Sequence, residues 1–475
     1  MNAHKKLERC TQCAEAQEND MLNNTVAAIS TARGKGGVAM IRISGDDALS
    51  IGIRVVKIST DSPTPRRAYY GSIMRDGAVI DDGILTYFKA PNSFTGEDVC
   101  EICCHGGIYV TQSVLESVLS CGAKMAEAGE FTKRAYINGR LTLSRAEAIG
   151  NVIDAKTDTQ LRLSSSQARG VLSSKISEIR EKMLGLIAQA YATVDYPDED
   201  IEDVTIQQMS TTLDSIITEL KRLKGSYRAG KAISDGVKTA IIGKPNAGKS
   251  SVYNMLLGQE LAIVTDIAGT TRDVIESVTS VGGVTLNWAD TAGIHDTFDR
   301  VEKIGIERAK EKIQDSELLL CVFDFSQSES DEDEFILECA IDRGAIAIIN
   351  KTDTPRQISE EFEKKILSSF SRVIYASAKN HNGYEELCQA VTDMFELGEL
   401  DLSNDAIISN ARQFASVDLA LTDAQEAKEL LLQGLTPDVI LFSLECALSS
   451  LDKIDAREAG EEIVNAIFSR FCVGK

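Results

Sequence analysis

Long apolar runs are missing from this chain. The longest, such as Leu318–Phe323, fall far short of the about 20 residues a helix needs to cross a bilayer. Positive charge is scarce too: 50 Lys and Arg stand against 72 Asp and Glu, a formal charge of −22. That balance argues against a protein gripping nucleic acid over a broad basic face. If RNA is involved, a partner or a small local patch must supply much of the phosphate contact. Proline is rare, with 7 in 475 residues, while 43% of the chain is apolar and 26% charged. The chain therefore reads as globular, with about three domains by length. Residues 1–20 have mixed charge, no apolar core and too many acids for a transit peptide, so no signal peptide is expected. The 11 cysteines read as reduced thiols of a cytoplasmic protein with no membrane attachment.

Cys10 and Cys13, with Cys100, Cys103, Cys104 and His105, raise a zinc site for consideration. The first pair lies in a poorly patterned extension. The later cysteines fall along one strand, where alternation turns neighbours to opposite faces and disfavours a four-ligand site. They read as buried small hydrophobes.

What is present is organised in blocks. Residues 1–23 form an extension expected to be loose, and residues 24–140 read as mixed α/β. Short β-branched runs at Val26–Ser30, Val38–Ser44 and Val99–Cys104 are broken by Gly-rich turns such as Gly34–Gly37, and residues 108–120 have helical spacing. Helical periodicity fills residues 141–235, interrupted by the acidic turn Asp195–Glu202, and returns over 399–475. Between them, residues 236–398 alternate strand and helix, as a doubly wound parallel sheet requires. The architecture expected is multidomain α/β plus α, with a P-loop domain inserted into a discontinuous helical domain.

That inserted block carries five signatures in order: Gly243–Ser250, Gly269–Asp273, Asp290–Gly293, Asn350–Asp353 and Ser377–Lys379. Together they specify GTP. The first follows an apolar strand, Val237–Ile242, and precedes a helix from Ser251 to Leu257, the context a P-loop needs. The amides of Asn246, Ala247, Gly248, Lys249, Ser250 and Ser251 are expected to cradle the phosphates. Lys249 reaches the β- and γ-oxygens and Ser250 ligates Mg²⁺. Thr265, Asp266, Ile267, Ala268, Gly269, Thr270 and Thr271 lead into the second signature, where Thr271 is the second hydroxyl for Mg²⁺. Asp290, Thr291, Ala292 and Gly293 form the third; Asp290 holds the metal through water, and the Gly293 amide meets the γ-phosphate. Asp353 can accept from guanine N1–H and its exocyclic amine, a donor pair adenine lacks. Asn350 and Lys351 complete that loop, with Lys351 over the ring. Ser377, Ala378 and Lys379 form the last, the Ala378 amide being expected to meet guanine O6.

One usual part is absent. Many GTPases place a glutamine directly after Asp-x-x-Gly to orient the attacking water; here Ile294 stands there. No arginine finger is identified. Glu302 is a candidate for orienting water, the alternative being a solvent-exposed helical acid. Asn246 and the carbonyls of Thr265–Thr270 offer oxygens that would suit a monovalent cation in place of an arginine.

Several flanking segments carry a resemblance. Thr25–Ile29, Arg33–Val38, Ile41–Ser44, Ala90–Asp98, His105–Gly107, Gly129–Thr132, Ala146–Ile149, Asp266–Asp273 and the terminal Phe471–Lys475 are similar to the tRNA-modification GTPase family MnmE, also called TrmE. The match runs from about Asn24 to the last residue. It implies that residues 24–140 form a folate-binding-like domain that also makes a homodimer. It implies assembly with the FAD-dependent protein MnmG in a heterotetramer-type complex, which installs an aminomethyl or carboxymethylaminomethyl group at C5 of the wobble uridine of certain tRNAs. The carbon comes from a tetrahydrofolate derivative. The resemblance further implies that K⁺, held by Asn246, Thr265, Ile267 and Thr270, drives hydrolysis when two GTPase domains meet. Glu302 matches the catalytic acid, and Cys472 matches a cysteine needed for modification. The folate positions carried over are Arg42, Glu101, Arg140 and Lys475. Independently, Arg42 and Glu101 are charges in apolar strands and demand a partner; they either pair with each other, face solvent or hold a ligand. His295 departs from the family's frequent arginine at that position. Two other readings compete: a ribosome-assembly GTPase, which should carry a basic RNA-binding appendage, and a dimerising GTPase scaffold without tRNA chemistry.

Overall fold

Two sheets carry the fold, one in each of the units into which the chain divides: residues 1–150 with 455–475, and residues 151–454. A computed structural model describes residues 24–195, 206–258, 278–288 and 315–474, apart from 342, 399, 436 and 456–460. The N-terminal extension, the acidic turn beyond Asp195 and the cysteines at 10 and 13 lie outside the described residues.

The first unit is built on a seven-stranded sheet. Its strands are β1 (Val26–Ile29), β2 (Gly36–Ser44), β3 (Val56–Lys57), β4 (Ala68–Arg75), β5 (Ala78–Phe88), β6 (Val99–Gly106) and β7 (Lys124–Met125), in the order β3-β4-β5-β6-β2-β1-β7. All pairs are antiparallel except β1 with β7. The pleat sorts the side chains. Ile41, Ile43, Leu85, Cys100, Ile102 and Cys104 point to one face. There the helices Ala48–Val55 and Ile108–Ser120 bury them under Ile51, Val55, Val114 and Val118. Arg42, Glu101, Cys103 and His105 take the other face, so the cysteines do divide between faces. Burial pushes the Cys100 thiol up to about 12 and Cys104 to about 11. Across the second face, register aligns Tyr70, Ile84, Cys103 and Met40 in one row. Tyr70 is 72% exposed and Ile84 40%. β2 begins inside the expected Gly-rich turn, at Gly36, while β3, β4, β5 and β7 were not anticipated from β-branched runs.

The C-terminal tail belongs to this unit. The helix Glu461–Phe468 packs Val464 and Phe468 against Leu143 and Ala146. Val473 bridges Ala128, the Gly129 amide donates to the Cys472 carbonyl at 3.4 Å, and Ser30 Oγ donates to the Gly474 carbonyl at 2.9 Å.

In the second unit a six-stranded sheet runs β13-β12-β11-β8-β10-β9. Its strands are β8 (Val237–Gly243), β9 (Val278–Val281), β10 (Val284–Trp288), β11 (Leu318–Asp324), β12 (Ala345–Asn350) and β13 (Val373–Tyr375). Only the β9–β10 pair is antiparallel. β11 is apolar up to its last residue, Asp324, because both its faces are covered. Leu318, Leu320 and Val322 join the core under the helices Lys249–Leu257 and Tyr384–Met394. Leu319, Cys321 and Phe323 join the one under Asp331–Ala340 and Glu360–Ser369. This is the doubly wound arrangement expected.

The helices Val171–Asp195, Ile206–Gly225, Ala411–Leu432 and Pro437–Asp455 form a separate core, including Ile179, Met183, Leu213, Leu220, Val417, Leu444 and Leu451. They come from both sides of the P-loop block, so the helical domain is discontinuous. Side-chain hydrogen bonds join this sheet to its neighbouring segments. Thr157, which caps the helix Asp158–Arg169, lies 3.3 Å from Thr285 of β10, and Thr285 Oγ1 donates to the Ile233 carbonyl at 3.0 Å. Asn287 donates to the Asp235 carbonyl at 2.8 Å, and Thr392 to the Gly282 carbonyl at 2.8 Å. Among the described residues no helix is long and apolar enough to cross a membrane.

Candidate guanine-nucleotide site

β8 ends at Gly243, and the chain turns through Lys244–Gly248 into the helix Lys249–Leu257. Two residues make that turn possible. Asn246 has φ 62°, a left-handed conformation asparagine tolerates. Gly248 has φ 96°, and a Cβ there would lie 2.2 Å from Asn350 Nδ2. The loop thus hugs the base-recognition segment, and the helix N-terminus presents its amides at the sheet's C-terminal edge, where anions bind.

Lys249 Nζ donates to the Gly243 carbonyl at 2.9 Å and the Lys244 carbonyl at 3.0 Å. Burial lowers its pKa, and the charge of nearby Glu332 offsets this only in part. A carbonyl holds an ammonium without neutralising it, so the charge stays available to an incoming phosphate.

Asn350, 2% exposed at the end of β12, ties three loops together. Its Nδ2 donates to the Ala247 carbonyl at 3.0 Å, and its Oδ1 accepts from the Ala378 amide at 3.1 Å. The amide expected to face guanine O6 therefore already has an acceptor, because Asn350 reaches between the P-loop and the Ser377–Lys379 turn. Lys351, at φ 67°, donates to the Asn246 carbonyl and to Asp324 Oδ2, both at 2.6 Å. Burial pushes Asp324 up, but the bonds from Lys351 and Ser326 outweigh it and its carboxyl ends below the ordinary value. Asp353 is exposed, and Ser377 Oγ donates to its Oδ1 at 2.7 Å. That bond, above all, holds Asp353 below its usual pKa, so it is an ionised acceptor at neutral pH. Ser250 lies at the second position of the P-loop helix, while Ser251 and Lys379 are exposed.

Two features here escaped the sequence reading. Asp324 closes an otherwise apolar strand, which was the available signal. Lys244 and Asp333 form a buried ion pair at 2.9 Å; Ser330-x-x-Asp333 has a capping-box pattern, but nothing in it points to Lys244. Thr265–Thr271, Asp290–Gly293, Ile294, His295 and Glu302 lie outside the described residues, as does Lys475.

The second candidate site is in the first unit. Arg42 and Glu101 are register partners across β2 and β6. Arg42 Nε and Nη2 both donate to Glu101 Oε1, at 3.0 and 2.9 Å. The guanidinium stands 5.3 Å from the Phe94 ring centre and 5.7 Å from that of Phe131. Arg140 is exposed beside Gly96, whose added Cβ would lie 3.2 Å from Arg140 Cγ. Asn138 Nδ2 fastens this loop by donating to the Thr95 carbonyl at 2.8 Å. Behind it, Arg134 is fully buried. It donates to Glu130 Oε1 at 2.8 Å, to Glu97 at 3.1 Å and to the Asn24 carbonyl at 2.9 Å. Sequence reading did not single out this network. Cys472 is exposed. Among the described residues no group of three or more His, Cys, Asp or Glu could hold a metal ion.

Comparison with known proteins finds matches along nearly the whole chain. The description of the GTP-binding protein TrmE N-terminus matches residues 25–140, and that of the MnmE helical domain matches residues 143–472. The chain is 41% identical over 458 residues to the tRNA modification GTPase MnmE of Clostridioides difficile (strain 630), covering 96% of this chain and 100% of that protein. It is 40% identical over 461 residues to that of Thermoanaerobacter pseudethanolicus, with coverages of 96% and 100%. Against that of Lactobacillus acidophilus the identity is 38% over 455 residues, covering 95% and 98%.

Proposed function

The chain belongs to the MnmE family of tRNA-modification GTPases, and from that premise we propose how it works. A GTP hydrolase acting in tRNA modification is the coarse function that membership carries. The finer reading is a K⁺-dependent, dimerisation-activated GTPase. With an FAD-dependent MnmG partner it modifies C5 of the wobble uridine of certain tRNAs, giving aminomethyl or carboxymethylaminomethyl products, in the cytoplasm. The observation that carries the GTPase part is the Asn350 bridge, which joins the P-loop, the base loop and the Ser377–Lys379 turn through hydrogen bonds of 3.0 and 3.1 Å.

Lys249 binds the β- and γ-phosphates, and Asp353 accepts from the guanine donor pair. Glu302 orients the attacking water, which Ile294 cannot do. Ser250 and Thr271 would hold Mg²⁺, and Asn246, Thr265, Ile267 and Thr270 would hold K⁺; hydroxyl, amide and carbonyl oxygens suit both hard cations. Bound there, they supply the positive charge an arginine finger supplies elsewhere.

For the tetrahydrofolate derivative that donates the carbon, Arg42, Glu101, Arg140 and Lys475 are the binding candidates. The Arg42–Glu101 fork beside the exposed Phe94 ring offers an aromatic surface with adjacent donors and an acceptor, which fits a flat heterocycle. Cys472 is assigned to the modification step. The exposed row Tyr70–Ile84 on the sheet face away from the helices supports a homodimer through this domain. The domain limits 24–140, 141–235, 236–398 and 399–475 belong to the same proposal.

Two measurements test it. GTP turnover is expected to be faster in K⁺ than in Na⁺, with Asn246→Ala abolishing the difference while leaving nucleotide binding largely intact. Equal wild-type rates in both salts, at concentrations allowing dimer contact, would remove the cation role. Nucleoside analysis of tRNA from cells lacking the protein should show loss of the C5-modified wobble uridine; unchanged tRNA would leave the scaffold reading.

A further inference from the structure

The P-loop contains a buried ion pair with no part in the phosphate and base contacts above. Lys244 is 7% exposed and Asp333 2%. Lys244 Nζ donates to Asp333 Oδ2 at 2.9 Å and to the Ser328 carbonyl at 2.8 Å. The same Oδ2 accepts from the Ser330 amide at 3.0 Å and the Ser330 hydroxyl at 3.1 Å, in the capping box that opens the helix Asp331–Ala340. The other oxygen, Oδ1, is buried with no hydrogen-bond partner among the described residues.

A capping aspartate needs no lysine, and burying two charges is a poor route to stability. What the lysine adds is a connection. Its own carbonyl, with that of Gly243, is what holds Lys249 Nζ, at 3.0 and 2.9 Å. One residue therefore links the cap of a helix on one face of the sheet to the ammonium that meets the phosphates. The side chain acts as a strut and the carbonyl as the rest on which Lys249 lies.

We propose that Lys244 and Asp333 are positioning residues for GTP hydrolysis: their ion pair holds the Gly243 and Lys244 carbonyls in place and so aims Lys249. This rests on the GTPase reading and refines it. Both side chains are engaged with each other and with Ser328 and Ser330, and not with the Asn350–Asp353 loop. Their contribution is to geometry, and displacing a positioned group by about 1 Å can cost about 100-fold in rate.

The test uses the full chain in K⁺ buffer, comparing wild type, Lys244→Arg and the double variant Lys244→Met/Asp333→Leu. Removing both charges together avoids leaving one buried and unpaired, as Asp333→Asn alone would. The double variant should keep a melting temperature within about 5 °C of wild type. Its kcat should fall about 10-fold or more while KM and GDP affinity change by less than about threefold, the sign of an interaction made in the transition state. Lys244→Arg, which keeps the charge and reach, should restore kcat to within about threefold of wild type. A double variant with wild-type kcat overturns the proposal, and so does one whose GDP affinity falls as far as its kcat. Wild-type turnover in the same preparation separates that result from failure of the GTPase reading itself.

Discussion

In the P-loop, Lys249 rests on main-chain carbonyls; on the N-terminal sheet, Arg42 rests on a carboxylate. Lys249 is bonded to the carbonyls of Gly243 and Lys244, whereas both donating nitrogens of Arg42 go to Glu101 Oε1. A carbonyl orients a cation without cancelling its charge, while a carboxylate cancels it. The first site is therefore primed for a polyanion. The second presents a nearly neutral fork beside aromatic rings, better matched to a flat ligand with paired donors and acceptors than to a free anion.

The contrast breaks most sharply at Lys249. Lys249→Ala should lower GTP turnover by about 100- to 1,000-fold, measured as phosphate release, because one preorganised cation is lost from the transition state. A loss below tenfold would mean that the carbonyl-held ammonium is not aimed at phosphate.

Base recognition is the next lever. Asp353→Asn replaces an acceptor with a group that also donates, so GTP affinity should fall about 100-fold, with xanthosine triphosphate, which has a carbonyl where guanine has its amine, becoming the better ligand. Equal losses for both nucleotides would place Asp353 in the frame of the site and not against the base.

On the sheet the effects should be smaller. Glu101→Gln uncouples the Arg42 pair at a cost of about 1 kcal/mol. It should appear as a melting-temperature loss of about 2–4 °C in the transition of that unit. No loss would mean that the pair serves ligand recognition alone.

The smallest effect concerns His105. Its Nδ1 lies 2.6 Å from Asp81 Oδ1, and that hydrogen bond, followed by the charge of Asp81, raises its pKa. Because the folded value lies above the unfolded one, this contribution is fully present below about pH 6.5 and is lost as pH rises through the folded pKa. His105→Ala should therefore lose melting temperature at about pH 5 and very little at about pH 8. The reverse order would show that the pair is not charge-assisted.

Much of the nucleotide site was legible because its residues are neighbours in sequence: the P-loop, the Asn350–Asp353 loop and the Ser377–Lys379 turn each announce themselves by spacing. What spacing cannot carry is how the loops fasten to one another. Asn350 was read only as part of the base-recognition loop, yet its amide bridges Ala247 and Ala378. Lys244 and Asp333 meet only because β8 and the helix after β11 are adjacent in a parallel sheet. On the N-terminal sheet, alternation flagged Arg42 and Glu101 as charges needing partners. Choosing between each other and solvent required the cross-strand register, which depends on the pairing of β2 with β6. The same alternation turns Cys103 away from Cys100 and Cys104.

The hairpin of β9 and β10 joins the two signature segments that precede and follow it, 259–277 and 289–314. It is pinned along its length: at its turn by Thr392 on the Gly282 carbonyl, and along β10 by Thr285 to Ile233 and Asn287 to Asp235. An added Cβ on Gly282 would lie 2.3 Å from the Cys388 carbonyl, so the turn has no slack. Slipping the ribbon by one residue would break each of these bonds and invert its two faces. The ribbon is thus a fixed floor and not a piston: it has no register to give, and a change felt at one end of it cannot travel as a slide of its strands.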